Sequence, residues 1–504
     1  MRGKIIDMEK NKIEEIARRR GFFWQGSEIY GGLSGIYDYA HLGSLIKTRW
    51  EDMWRKFFLG LDDNFFEIQP AEIMHEKVWQ ASGHVESFVD PVVKCRKCGH
   101  IERADKMIEE QLKESFEGKS LEDLAGLIKK HNMKCLKCKG VLEEIGVLNL
   151  MFPLTMGNDA KAYLRGETAQ AVYVNFSREF ECLRKKLPLG LAIVGKAFRN
   201  EISPRQLLIR LRELTQAELQ IFFDPDRIEE HPRFDEVKDY KLFVMPVKNR
   251  ESGAVEEVTC EDITSHLPRF YVYHMAKVQQ FFLDTLKIPS HLFRFKQLSD
   301  EEKAFYNKYH WDIEIKLESM GGFVEVGGVH YRTDHDLGAH QKLSKQDMSV
   351  FVDGKKFVPH VLELSFGVDR NIYTLLEIFY RDEKERNMFA FPRQVTPFDC
   401  GLFPLVNRDG IDGKAEELKE LLKDAGISVF YDDSGSIGRR YRRMDEIGVP
   451  ASITVDHRTL EDRTVTVRDR DSMKQIRISI ADMAETLRKF ISGTPIESLG
   501  TPVK

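Results

Sequence analysis

Bulky apolar groups recur at helical spacing through "SLIKTRWEDMWRKFFL" (44–59). The pattern then shortens into "DNFFEIQPAEIM", an apolar strand that stops at Pro70, which cannot donate to a ladder. A long helix beside such a strand is buried either against a partner subunit or in an intrachain core. Residues 1–20 predict an amphipathic helix with a charged face. Apolar strands follow at 191–198, 207–222 and 357–368, and their irregular spacing implies antiparallel pairing instead of regular βαβ alternation. Residues 226–310 are charge-rich and mixed, with helical runs near 270–287, and read as an insertion. Three prolines in "FPRQVTPFDCGLFPL" mark a change of composition. Beyond them strands and helices alternate, from "DCGLFPLV" to "RTVTVRD", which predicts a separate small α/β domain.

A chain of 504 residues exceeds one hydrophobic core, so two or three domains are expected. With 42% hydrophobic and 31% charged residues it has the composition of an ordinary soluble protein. No apolar run approaches a membrane span, and the charged start lacks a signal-peptide core, so a cytoplasmic protein without membrane contact is expected. The net charge of −5 does not point to nucleic acid, although an average can hide basic patches.

Seven cysteines include two C-x-x-C pairs, Cys95/Cys98 and Cys135/Cys138, separated by a charged helical stretch. Four thiolates at this spacing suit one tetrahedral Zn²⁺, with Gly99 and Gly140 supplying the tight turns; metal-free reduced thiols are the alternative. The zinc would be structural, because four thiolates leave no open position. His100 and His131 are not needed as ligands. Cys182, Cys260 and Cys400 read as buried small apolar residues. His330, His335 and His340 in "HYRTDHDLGAH" recur every five residues, which suits neither one helix face nor one strand face, so they read as ordinary histidines.

The segment "FRNEISPRQLLIRLREL" (198–214) places Arg199, Glu201, Arg210, Arg212 and Glu213 on two strands joined by a loop. A solvated, salt-bridged hairpin accounts for such a pattern, and so does a site for a nucleotide, whose phosphates need guanidinium forks. A second segment, "HVLELSFGVDR" (360–370), is an apolar strand carrying Glu363 and Ser365 that turns at Gly367 and opens a helix with Arg370. An arginine beside exposed helix N–H groups is well placed for an anion.

Together these segments resemble motifs 2 and 3 of the class II aminoacyl-tRNA synthetases, and the helix and strand at 43–70 resemble motif 1. "GKAFRNEISPR", "VWQASGHVESFVDP", "RGETAQAVYVNF" and "YDDSGSIGRRYRRMDEIGVPASITVD" are similar to signatures of the homodimeric glycyl-tRNA synthetases, over nearly the whole chain. The resemblance implies a mixed, mainly antiparallel α+β catalytic core with insertions and a C-terminal α/β anticodon-binding domain. It divides the chain into a core (1–94, 141–225 and 311–390), a cysteine-pair insertion (95–140), a mixed insertion (226–310), the anticodon domain (395–490) and a tail (491–504). It also implies ATP with Mg²⁺, glycine and tRNA(Gly) as partners, and a homodimer.

By the same resemblance Arg199, Glu201 and Arg370 are catalytic. Arg199 would grip the α-phosphate and the amino-acid carboxylate, and Glu201 would face adenine. Arg210 and Arg370 would hold the γ-phosphate end, Glu325 the nucleotide or its magnesium, and Arg332 a further phosphate. Asn200, Ile209, Leu211, Arg212, Glu213, Leu214, Val326, Gly367, Val368 and Asp369 complete the nucleotide side. The glycine side would comprise Arg103, Glu167, Thr215, Gln216, Ala217, Glu218, Glu363, Leu364, Ser365 and Phe366, with Leu214 and Gly367 shared. Arg439, Arg440, Tyr441, Arg442 and Arg443 would contact RNA. The chain departs from the family at Leu214 (commonly aromatic), Leu364 and Gly166 (commonly proline), Phe323 (commonly tryptophan) and a loop glycine missing near Gln206–Leu207. Two rivals stay open: a non-catalytic RNA-binding paralogue, and a synthetase for threonine, proline or histidine.

Overall fold

The computed structural model describes residues 12–112, 114, 116, 119–157, 159–202, 204, 206–303, 307–384 and 386–503. The helix expected at 1–20 is seen over 12–20, and its first eleven residues lie outside the described residues.

One nine-stranded sheet organises the core. In chain order its strands are β1 (Phe65–Glu67), β2 (Leu189–Phe198), β3 (Glu213–Phe223), β4 (Lys241–Met245), β5 (Glu256–Thr259), β6 (Phe293–Gln297), β7 (Tyr309–Leu317), β8 (Gly322–Thr333) and β9 (His360–Gly367). They lie in the order β5-β4-β6-β7-β8-β9-β3-β2-β1. Only β2–β1 and β4–β6 pair in parallel, so the sheet is mixed and mainly antiparallel. The stretch 226–310 therefore contributes three strands to the core sheet.

The expected strand at 207–222 starts later. Leu207, Leu208 and Ile209 form a buried single turn, and regular pairing begins at Glu213. Leu207 takes a left-handed φ of 50°, at the position where a glycine was missing. A non-glycine residue there carries roughly 1–2 kcal/mol of backbone strain.

Helix α1 (His41–Phe58) buries Leu42, Ile46, Trp50, Trp54 and Phe58, a four-residue spacing that draws one stripe along the helix. Trp50 meets Phe281 and Trp54 meets Phe366, so this stripe faces the intrachain core. Helix α2 (Ala169–Cys182) covers the sheet through Phe176 stacked on Phe222, and α3 (Arg269–Gln280) through Phe270 stacked on Phe223. Helix α4 (Val368–Phe379) begins where β9 ends. Cys260 and Cys400 are buried as expected, whereas Cys182, at the last turn of α2, is exposed.

The cysteine pairs sit on a small sheet of Val89–Lys94, Ile101–Arg103 and Gly146–Asn149. It has its own apolar cluster of Val93, Met107, Ile108, Leu124 and Met133.

The C-terminal unit is a six-stranded sheet: β10 (Cys400–Pro404), β11 (Val429–Tyr431), β12 (Ala451–Val455), β13 (Thr464–Asp469), β14 (Gln475–Ser479) and β15 (Thr501–Pro502). Helices α5 (Ile411–Asp424), α6 (Ile437–Ile447) and α7 (Met483–Ile491) accompany it. At its junction with the core, the buried Asp445 accepts two hydrogen bonds from Arg468 (2.8 and 3.0 Å) and one from Arg386 (2.9 Å). Among the described residues no helix is long and apolar enough to cross a membrane.

Candidate active site

The β2–β3 hairpin carries the nucleotide-side charges. Pairing runs to Phe198↔Glu213 and continues into the loop through the Arg199 N–H on the Arg212 carbonyl (2.8 Å). Glu201 is buried, and Arg210 donates to one of its oxygens from Nε (2.7 Å), with Nη2 in ion-pair contact with the same oxygen (2.6 Å). Arg212 bonds to the Glu201 carbonyl (2.9 Å) and the Ser34 carbonyl (3.0 Å), so it braces the loop. Arg370, at the start of α4, donates to the Ile209 carbonyl (3.0 Å) and pairs with Glu325 (3.2 Å). Glu201, Arg210 and Arg370 line one cleft with Arg199, Leu214, Thr215 and Gly367.

The other nucleotide-side candidates are placed as follows. Asn200 bonds through its backbone to the Leu150 carbonyl. Glu213 pairs with Lys196 (3.1 Å). Ile209 and Leu211 are buried apolar lining of the cleft, whereas Val326 and Val368 are fully buried in the main core. Asp369 turns inward and accepts from the Tyr39 hydroxyl (2.7 Å) and the Thr215 N–H, and burial pushes its carboxyl up.

Arg332 corrects the expectation. Instead of standing among the phosphate ligands, it is buried between Asp336 (2.8 and 3.0 Å) and Glu363 (2.6 Å). The cause is strand alternation: His330 lies opposite Glu363, and Arg332, two positions on, shares that face of the sheet.

Arg332 thereby joins the glycine-side cluster of Glu167, Glu218 and Glu363. Register brings Glu218 opposite Ser365 and Gln220 opposite Glu363. Glu218 accepts from Ser365 Oγ and Gln216 Nε2 (both 2.8 Å) and from Thr168 Oγ1 (2.5 Å). Burial, helped by the charges of Glu363 and Glu167, pushes its carboxyl up to about 7. Burial also works to raise Glu363, but Arg332 and His330 outweigh it and hold that carboxyl low. His84 and Arg332 do the same for Glu167. Two carboxylates stay charged while the third shares the cost of crowding.

Ala217, Leu364 and Phe366, also expected here, are fully buried in the main core. Strand side chains alternate between faces, so the neighbours of Glu218, Glu363 and Ser365 point away from the cluster. Arg103 pairs with Asp105 (2.6 Å) and Asp90 (3.2 Å). Sequence reasoning missed His84, Thr168, Gln170 and His330, all of which bond to the glutamates.

The sulfurs of Cys95, Cys98, Cys135 and Cys138 lie within 4.8 Å of one another. Backbone N–H groups of Cys98 and Lys97 draw the Cys95 thiol down to about 6. A Cβ at Gly140 would come within 2.9 Å of the Cys95 sulfur. An all-thiolate donor set with this close backbone approach fits a tetrahedral Zn²⁺.

In α6 the basic residues divide. Arg440 is buried and donates to the Pro404, Asp433 and Gly435 carbonyls. The Tyr441 hydroxyl bonds to Thr454 (2.7 Å), with Arg468 over its ring. Arg443 pairs with Asp432 (3.1 Å). The buried Arg440 thus braces the domain, which corrects the expectation of RNA contact for that residue; Tyr441 is half-buried, and Arg439 and Arg442 are exposed.

A charged hairpin and a helix-opening arginine on a mainly antiparallel sheet, joined to an α/β C-terminal unit, define a class II aminoacyl-tRNA synthetase. Residues 152–379 match the tRNA synthetase class II core domain (G, H, P, S and T), and residues 399–490 match the anticodon binding domain. The fold is similar to that of prolyl-tRNA synthetase from Cryptosporidium parvum, solved with L-proline and AMP. The TM-score is 0.56 over 95% of this chain and 74% of that one, at 14% identity.

In sequence the chain is 40% identical to the glycine–tRNA ligase of Pyrococcus horikoshii, over 98% of this chain and 100% of that protein. It is 38% identical to the enzyme of Aeropyrum pernix (98% and 99%) and 36% to that of Methanococcus vannielii (95% and 99%). The chain belongs to the glycine–tRNA ligase family.

Proposed function

We infer that the chain activates glycine with ATP to glycyl-adenylate and transfers the glycyl group to the 3′ end of tRNA(Gly). The observation that carries this reading is the Arg199 side chain, which connects the two halves of the site. It leaves the charged hairpin, lies over Phe88, and donates to the Gly166 carbonyl (3.0 Å), one residue before Glu167. A glycine whose ammonium rests on Glu167, Glu218 and Glu363 has its carboxylate turned toward Arg199. That carboxylate attacks the α-phosphorus in line, the new C–O–P linkage forms, and pyrophosphate leaves. The nucleophile is already ionised, so no general base is needed. Arg199, Arg210 and Arg370 meet the charge that spreads over the phosphates. Mg²⁺ would supply further neutralisation, with Glu325, exposed beside Arg370, as its protein ligand. The terminal adenosine hydroxyl of the tRNA then attacks the glycyl carbonyl, and AMP leaves.

The exposed Arg439 and Arg442 are the RNA contacts of this reading. Zn²⁺ on the four cysteines is structural, and free thiols suit a reducing compartment such as the cytoplasm. The homodimer reading is supported by β1, the terminal strand of the sheet, which leaves Phe66 38% exposed. Sedimentation of the purified chain tests it, and a monomer would refute it.

The function is tested by amino-acid-dependent ATP–pyrophosphate exchange with each of the twenty amino acids. Exchange with glycine alone, lost in Arg199→Ala, is the expected result. No exchange in a folded, zinc-replete protein would favour the non-catalytic paralogue, and exchange with threonine, proline or histidine would favour the other synthetases.

A further inference from the structure

We propose that His330 is a positioning residue of the amino-acid pocket: it holds the Glu363 carboxylate in the orientation that accepts a glycine ammonium, and His84 does the same for Glu167. This rests on the glycine reading above and extends it to residues outside the glutamates themselves.

Glycine offers an ammonium, a carboxylate and two hydrogens, so a pocket cannot select it by filling a side-chain cavity. Selection depends on carboxylates that stand where a Cβ would go and do not turn away. Each glutamate of the cluster is held at both of its oxygens. For Glu218 the holders are Ser365 and Gln216 on one oxygen and Thr168 on the other. For Glu363 they are Arg332 Nη1 (2.6 Å) and His330 Nδ1 (3.0 Å). For Glu167 they are Gln170 Nε2 (2.9 Å) and His84 Nε2 (3.5 Å). Arg332 alone does not fix Glu363, because its Nε and Nη2 are committed to Asp336.

The His330 ring is itself held. A Cβ at Gly328 would lie 2.2 Å from its Nε2, so the glycine leaves the space the ring occupies. The ring packs against His310, with centroids 4.1 Å apart, and His310 is anchored to Asp312 (3.2 Å) and Asn307 (3.2 Å). His330 therefore presents Nδ1 to Glu363. His84 bonds through Nδ1 to Ser82 Oγ (2.8 Å), sits edge-on between Trp79 and Phe88, and presents Nε2 to Glu167.

The two histidines use opposite ring nitrogens, and amide isosteres separate them. An Asn amide nitrogen falls near the place of Nδ1, a Gln nitrogen near that of Nε2. In glycine-dependent exchange, His330→Gln is expected to raise KM for glycine about tenfold, the scale of one lost charge-assisted hydrogen bond. KM for ATP stays unchanged and alanine begins to be activated. His330→Asn keeps KM for glycine within about twofold of wild type. At position 84 the order reverses, with Gln tolerated and Asn not. Equal behaviour of Asn and Gln, or KM for ATP rising in step, would reduce both histidines to packing residues. Crystal structures of the two His330 variants read the same point without activity. Glu363 displaced in the Gln variant alone supports the proposal even if wild type shows no glycine exchange, which would sink only the glycine reading. Glu363 unmoved in both overturns the proposal.

Discussion

Glu218 ties glycine affinity to pH in a direction that can be worked out. It is 2% exposed, and burial with two neighbouring glutamates pushes its carboxyl up to about 7. A protonated Glu218 cannot accept a full share of charge from an ammonium, so glycine binds best to the ionised form and displaces a proton from the other. With a pKa of about 7, the ionised fraction is about one-tenth at pH 6 and about nine-tenths at pH 8. KM for glycine in the exchange reaction should therefore fall about tenfold across that interval, while KM for ATP is much less affected. His330, whose pKa Glu363 raises against the effect of burial, acts in the same direction, because its deprotonation leaves the pocket more negative. Calorimetry of glycine binding in buffers of different ionisation enthalpy should count close to one proton released at pH 6 and nearly none at pH 8. In Glu218→Gln, KM should be high throughout and most of the slope lost. A KM for glycine that is flat or rising from pH 6 to pH 8 would refute the reasoning, because a carboxyl crowded by two others and removed from water has to titrate late.

Cys135→Ser should abolish bound zinc and expose residues 95–140 to limited proteolysis, measured by metal analysis and peptide mapping; an unchanged cleavage pattern would show that the module does not need the metal. Arg440→Ala, which strands three carbonyls beside a vacated buried site, should cost about 2–4 kcal/mol in denaturant unfolding of the C-terminal unit. Arg442→Ala should leave unfolding unchanged but raise KM for tRNA a few-fold, with a shallower salt dependence of binding.

How far the sequence reveals this site depends on whether each residue acts through local spacing or through distant contacts. The placing of the hairpin arginines and Arg370 in one cleft is legible because each sits next to a turn or a helix start. The inward face of α6 was also legible in principle: Arg440, Met444 and Ile447 recur at i, i+4 and i+7, and all three are buried. Arg332 was misread because the face it takes is set by pairing with β9, and its partner Glu363 lies 31 positions away, which no local pattern announces. The turn at 207–209 hid inside an apolar run that reads equally as strand, since both bury leucine. His330 and His84 were read as ordinary or passed over because their partners lie 33 and 83 positions away, and periodicity carries no information at that range.

On the proposed reading of Arg210 as a phosphate ligand, its pairing with Glu201 makes nucleotide binding an ion exchange within the protein. A guanidinium open to solvent surrenders dissolved anions when a phosphate arrives, and raising the salt then weakens the complex. Here one of those anions is a side chain nine residues away. Its concentration at the arginine is set by the chain and is indifferent to the medium. To that extent the phosphate competes with a tethered rival instead of with the buffer, and its hold on Arg210 is insulated from ionic strength.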